Sequence, residues 1–348
     1  MNFTSAPLTP VEILLKKWDQ ANRSFSGAQL GALLVWSVVV GCTSALTVAT
    51  VVKGSASLRS NTWTLIAQLA LVDFVAALGN AAMFGLQTLN FASGWPSDID
   101  NLLCLVVLLV RYPARRARIT FAVAVAFDRF LAVLAPVKYR HLGRRYLTIV
   151  CASCWQGRTP LVFLVTIKLP ASGKVGGGRC LVSSVTTPAL KRFQVSQSVI
   201  QNALALALYG AAAATLEFRL LSTRFGGASA TVAERLGNRR RQLQTRLTRT
   251  LLAILGLDLA TKYAKSAVNF GIYALISPTT LPVVEGLVPV LAFVLKILDP
   301  YLACTAHFLV LLALVPKFRR DFCRLFRCEL KNAIRGQLTF TQCARFKR

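Results

Sequence analysis

Seven runs of predominantly apolar residues, each long enough to cross a bilayer, recur along this chain, near 29–52, 62–90, 101–135, 146–169, 194–221, 247–276 and 284–315. A hydrocarbon core of ~30 Å takes about 20 apolar residues of helix, and backbone polar groups in lipid must be satisfied within the segment. The pattern therefore points to an all-α membrane protein, a bundle of seven transmembrane helices. Composition agrees: 55% of the 348 residues are hydrophobic, 16% are charged, and the mean hydropathy is +0.55, far from a soluble domain of ordinary make-up.

The charge is one-sided, 41 Lys and Arg against 13 Asp and Glu. Such an excess serves either nucleic-acid binding or retention on the inner side of a membrane. The apolar runs decide for the membrane and against a nucleic-acid partner. Lys53, Arg59, Lys138, Arg140, Arg144, Arg145, the basic loop 222–246 and Lys317, Arg319, Arg320 and Arg324 all fall on one side. The opposite loop near 91–100 carries Asp98 and Asp100 without a basic residue. The positive-inside rule then sets the N-terminus outside and the C-terminus inside. The loop 170–193, with Lys174, Arg179, Lys191 and Arg192, departs from that bias.

Three regions follow: an extracellular tail 1–28, a seven-helix domain 29–315, and an inner segment 316–348. The tail carries two glycosylation sequons, at Asn2 and Asn22. The inner segment opens with Pro316-Lys317-Phe318-Arg319-Arg320-Asp321-Phe322, basic and aromatic residues at helical spacing, as in a helix lying on the lipid of the inner leaflet. Cys323 and Cys328 beside it are candidates for palmitoylation, or simply free thiols.

Catalytic signatures are missing. There is no GxSxG elbow, GxxxxGK[ST] loop or HExxH pair, and two histidines leave little for a metal centre. Neither an enzyme nor a metal or cofactor is expected.

The third run, Cys104 to Arg140, organises the rest. It carries Arg111, Arg115, Arg116 and Arg118 in mid-span and leaves the membrane through Asp128-Arg129-Phe130. On an insertion scale the four arginines cost roughly 10–14 kcal/mol, while the flanking apolar residues return only about 3–7. This helix inserts poorly alone. Arg111, Arg115 and Arg118 follow i, i+4, i+7 and share one face, which could line a cationic pocket, while Arg116 points elsewhere. Arginine forks hold carboxylates well. The competing readings are an arginine-lined path of a transporter or channel, and a decayed, non-signalling protein. In the sixth run Asp258 and Lys262 are spaced to neutralise each other, which leaves Lys265 to reach the outer half.

With Cys104 lying 24 residues before Asp128, the chain resembles a rhodopsin-like G-protein-coupled receptor. Leu69-Ala70-Leu71-Val72-Asp73, Trp155, Tyr209 and Asp299-Pro300 match the family's motifs in the second, fourth, fifth and seventh helices. Leu58-Arg59-Ser60-Asn61 and Pro136-Val137-Lys138-Tyr139 are similar to segments of nematode serpentine chemoreceptors. The resemblance implies a plasma-membrane receptor of a chemosensory kind that converts binding of an extracellular ligand into activation of a heterotrimeric G protein, and the arginines point to an acidic or peptide ligand.

The same resemblance implies a disulfide between Cys104 and Cys180, and a G-protein switch of Asp128, Arg129, Phe130 and Tyr209. It implies a buried polar network of Asp73, Asp299 and Pro300, with Arg118 standing where the family keeps a small polar residue. An Asp73–Arg118 salt bridge would then replace a bound sodium ion. A ligand pocket would include Arg111, Arg115 and Lys265. Retinal is disfavoured, because Phe293 stands where an opsin has its lysine. The chain departs from the family at Cys42, at Ala303, and in a sixth helix without a proline.

Overall fold

The computed structural model describes residues 26–54, 60–92, 99–156, 174–175, 188–225, 250, 253–254, 256, 290, 293–294 and 303–334. Within them lie α1 (Gly27–Lys53), α2 (Asn61–Ala92), β1 (Ile99–Asp100), α3 (Asn101–Leu134), α4 (Pro136–His141), α5 (Arg144–Gln156), β2 (Lys174–Val175), α6 (Pro188–Phe225), α7 (Ala303–Leu314) and α8 (Pro316–Ile334). These correspond to the first three expected spans, the start of the fourth, the fifth, the end of the seventh and the inner-leaflet helix. Most of the sixth span, including Lys265, lies outside the described residues, as do Asn2, Asn22, Cys180, Asp299 and Pro300.

Each helix begins where local chemistry allows it. Ser26 opens α1 with a capping box: its hydroxyl accepts from the Gln29 backbone N–H at 3.3 Å, and the Gln29 side chain accepts from the Ser26 N–H at 3.0 Å. Three of the polar residues buried along α1 are satisfied by their own helix. Ser37, Thr47 and Thr50 donate to the carbonyls of Leu33, Thr43 and Leu46, so none brings an unmet hydroxyl into the apolar core. Pro316 begins α8 and Pro188 begins α6, positions where a missing N–H costs nothing. The latter extends the fifth helix outward beyond the expected 194, because nothing after that proline interrupts the helix.

The most extensive packing joins α1 to α2, α2 to α3, and α3 to α6. Where α2 crosses α3 the backbones nearly touch: a Cβ added to Gly79 would lie 3.0 Å from the Arg111 Cβ and 3.2 Å from its Cα. Towards the C-terminal ends of α1 and α3 a single core runs from Val51 and Trp63 through Phe121 and Val125 to Phe308 and Phe318. Trp155 fixes α5 to this core, with its indole N–H on the Gln68 side-chain oxygen at 3.1 Å and its ring edge-on to Phe121, centroids 6.0 Å apart.

Amphipathic α8 docks by an aromatic ladder. Fully buried Phe318 stacks on Trp63 of α2 at 6.1 Å and meets Phe308 of α7 edge-on at 6.2 Å. Phe308 also meets Phe322 at 5.4 Å. At the other end of the bundle β1 pairs antiparallel with β2, Ile99 opposite Val175 and Asp100 opposite Lys174. That pairing sets Lys174 and Val175 beside the two residues that precede α3, whose first turn carries Cys104.

Candidate functional site

Among the described residues, two polar clusters interrupt the apolar interior, one at the C-terminal end of α3 and one in its middle. At the C-terminal end Asp128 is fully buried and Arg129 nearly so. A carboxylate so placed must be paired and hydrogen-bonded, and three side chains meet that need with four hydrogen bonds. The Arg129 guanidinium donates to Asp128 Oδ2 through Nη2 at 2.8 Å and Nε at 3.3 Å. Thr62 at the start of α2 donates to the same oxygen at 2.6 Å, and Tyr139 of α4 donates to Oδ1 at 2.8 Å.

The ring closes on itself. Arg129 Nη2 lies 3.2 Å from the Tyr139 hydroxyl, and its carbon sits 5.9 Å from the centre of that ring. Asn61 adds a bond from its side-chain amide to the Leu142 carbonyl at 3.0 Å, which fixes the turn after α4 to the start of α2. Burial, and next the Asp128 charge, raise the pKa of Tyr139. Its hydroxyl therefore keeps its proton at neutral pH and stays a donor. Tyr209 of α6 is buried and Phe130 half-buried.

In mid-span Arg118 of α3 forms an ion pair with Asp73 of α2, Nε to Oδ1 at 3.1 Å, and both side chains are largely buried. Two turns further out, the Arg111 guanidinium reaches the Met83 sulfur at 3.2 Å. The remaining two arginines do not lie as their spacing implies. Arg115 is exposed, whereas Arg116 is buried at 7% exposure. Spacing alone suggests one inner side for this helix, but α3 packs against both α2 and α6. A residue well round from Arg111 is therefore covered too, and Arg115 is left at the edge.

Cys104 lies in the first turn of α3, its side chain outside the described residues, and Cys180 is wholly outside them. Cys323 is exposed on α8; Cys328 follows in the same helix, with only its backbone described.

Three features escape a reading of motifs. Thr62 and Tyr139 complete the Asp128 shell, and no spacing rule links residues 62, 128 and 139. Asn80 and Gln87 are buried on α2 at seven and fourteen residues from Asp73, a heptad that was legible in the sequence. Cys151-Ala152-Ser153-Cys154 has CxxC spacing, and both thiols are free on α5.

The family model of the 7 transmembrane receptor (rhodopsin family) matches residues 44–302. Mouse G-protein coupled receptor 183 is 36% identical over 80 residues, 23% of this chain and 21% of that protein. Human Lysophosphatidic acid receptor 6 is 28% identical over 153 residues, 42% of this chain and 41% of that protein. The chain thus aligns with well under two thirds of either relative's length.

Proposed function

The chain belongs to the rhodopsin family of seven-transmembrane receptors, and from that premise we propose that it is a plasma-membrane receptor coupling an acidic extracellular ligand to a heterotrimeric G protein. The observation that carries this reading is the buried ring around Asp128. Its carboxylate holds Arg129 together with Thr62 and Tyr139, and so ties the inner ends of α2, α3 and α4 into one resting arrangement. Release of Arg129 from that ring presents a cation and opens the inner face. A ligand that binds the released state better shifts the population towards it.

On the outer side Arg111, with Arg115 at the edge and Lys265 of the sixth span, supplies cationic groups for the ligand. Reversal of charge relative to an amine site disfavours amines. One relative is named for lysophosphatidic acid, an acidic lipid, and that chemistry is the first to try. In the middle Arg118 serves as a built-in counter-ion for Asp73, so that signalling does not depend on sodium; Asp299 and Pro300, outside the described residues, are assigned to this network by the family motif alone.

The outer disulfide Cys104–Cys180 gains support from the pairing of β1 with β2, which sets Lys174 and Val175, six and five residues before Cys180, beside the start of α3. Asn2 and Asn22 are glycosylated on an extracellular tail, and the exposed thiol of Cys323, with Cys328, takes a lipid anchor on the inner leaflet. The family match favours this receptor reading over a transporter or channel.

The test is lipid-evoked nucleotide exchange in membranes holding wild type, Arg129→Ala or Arg111→Met at equal surface density. Loss of exchange in both variants supports the reading. An undiminished response in Arg129→Ala contradicts it.

A further inference from the structure

Asp73, Asn80 and Gln87 recur every seven residues along α2 and are buried at 4%, 7% and 7% exposure. Seven residues is close to two helical turns, so the three form one stripe. One flank of the stripe is covered by α1: Ala77 and Phe74 lie 3.8 and 4.0 Å from a Cβ built on Gly41. The other flank is covered by α3, which meets Gly79 and Met83 through Arg111. The stripe therefore faces between its two neighbours, into the bundle.

Along this stripe the three positions are not equivalent. Asp73 meets Arg118. Seven residues outward the Asn80 side-chain oxygen is buried without a hydrogen-bond partner, a condition that native interiors rarely leave unmet. At the same level the Arg111 guanidinium is turned towards Met83, nearer the Ala92 end of α2. Arg111 thus lies against Gly79 and Met83, the residues one before and three after Asn80, at the level of α2 where that acceptor is in want of a donor.

We infer that Asn80 is a ligand-recognition residue: its side-chain oxygen accepts an O–H or N–H from an acidic ligand whose anion is held by Arg111. The site then selects acids that carry a hydrogen-bond donor near the anion over acids that lack one. This rests on the acidic-ligand reading of Arg111 given above.

The experiment compares wild type with Asn80→Leu, which keeps the branching and number of side-chain heavy atoms and is unable to accept. Two readouts are taken: the melting temperature of the ligand-free receptor, and the potency of two lipids in nucleotide exchange. The probes are oleoyl glycerol phosphate and oleoyl propanediol phosphate, which keeps the phosphate and chain but lacks the free hydroxyl. Asn80→Leu is expected to melt no lower than wild type, because the oxygen gives up no internal bond. The hydroxylated lipid is expected to lose potency about tenfold or more, while the other acts equally on both forms.

A melting temperature several degrees lower, or equal loss of potency for both lipids, overturns the inference and makes Asn80 a structural residue. Should Asn80→Leu not reach the surface, Asn80→Ala is read in the same way, and its loss from the surface too is a contradiction. A wild type that responds through Arg111 but discriminates as Asn80→Leu does removes the Asn80 role alone. A wild type silent to both lipids removes the acidic-ligand reading and this inference with it.

Discussion

Arg118 of α3 and Asp73 of α2 meet at 3.1 Å in the middle of the membrane-spanning region. Each is the reason the other is tolerated there, since an unmatched charge at this depth is costly. Removing one partner of a buried pair leaves the other uncompensated, at about 3–5 kcal/mol. Asp73→Asn and Arg118→Leu should each reduce the receptor reaching the surface severely. The double variant Asp73→Asn/Arg118→Leu should recover much of it, by flow cytometry of an N-terminal tag. If the double variant is worse than either single one, the pair is not what compensates the charges.

A second consequence concerns salt. With its carboxylate occupied by Arg118, Asp73 should give signalling the same dose response in sodium chloride as in choline chloride at equal ionic strength. A shift of more than a few-fold between the two salts would show that the guanidinium does not fill the place of an ion.

Phe318 is the most buried rung of the ladder that docks α8. It has no exposed surface, stacks on Trp63 and meets Phe308 edge-on, and truncating a buried aromatic of this kind costs about 3–5 kcal/mol. Phe318→Ala should lower the melting temperature of purified receptor by several degrees. Phe326→Ala, at a position 56% exposed, should leave it within about a degree.

Tyr139 gives the inner network a pH dependence. Its pKa is raised above the ordinary value of 10.0, by burial first and the Asp128 charge second. Folding therefore favours the protonated phenol. The corresponding stability is fully present below pH of about 10 and is lost as pH rises through the higher folded value. Thermal stability measured between pH 8 and pH 11 should fall more steeply in wild type than in Tyr139→Phe. Parallel curves would mean that the phenol titrates no differently once folded.

Much of this architecture was legible because the bilayer demands long apolar runs. Helices α1, α2 and α3 begin within two residues of the positions read from hydropathy, and the inner-leaflet helix begins at Pro316 as its spacing indicates. The Asp73–Arg118 contact was also within reach, since a carboxylate and a guanidinium at matching depth have few alternatives. Arg115 and Arg116 were misjudged because helical phase tells which residues share a face, not how many neighbours surround the helix. Thr62 and Tyr139 were invisible for a different reason. Their role depends on the fold bringing the starts of α2 and α4 to one carboxylate, and nothing local in either residue announces it.

The central claim is that Asp128 restrains Arg129, and that Arg129, once free, engages a G protein. The most direct measurement is ligand-independent nucleotide exchange by wild type, Asp128→Asn and Asp128→Asn/Arg129→Ala at matched surface density. The account predicts that Asp128→Asn raises basal exchange several-fold and that adding Arg129→Ala returns it to background. Exchange at background in Asp128→Asn, or a rise that survives Arg129→Ala, would contradict it.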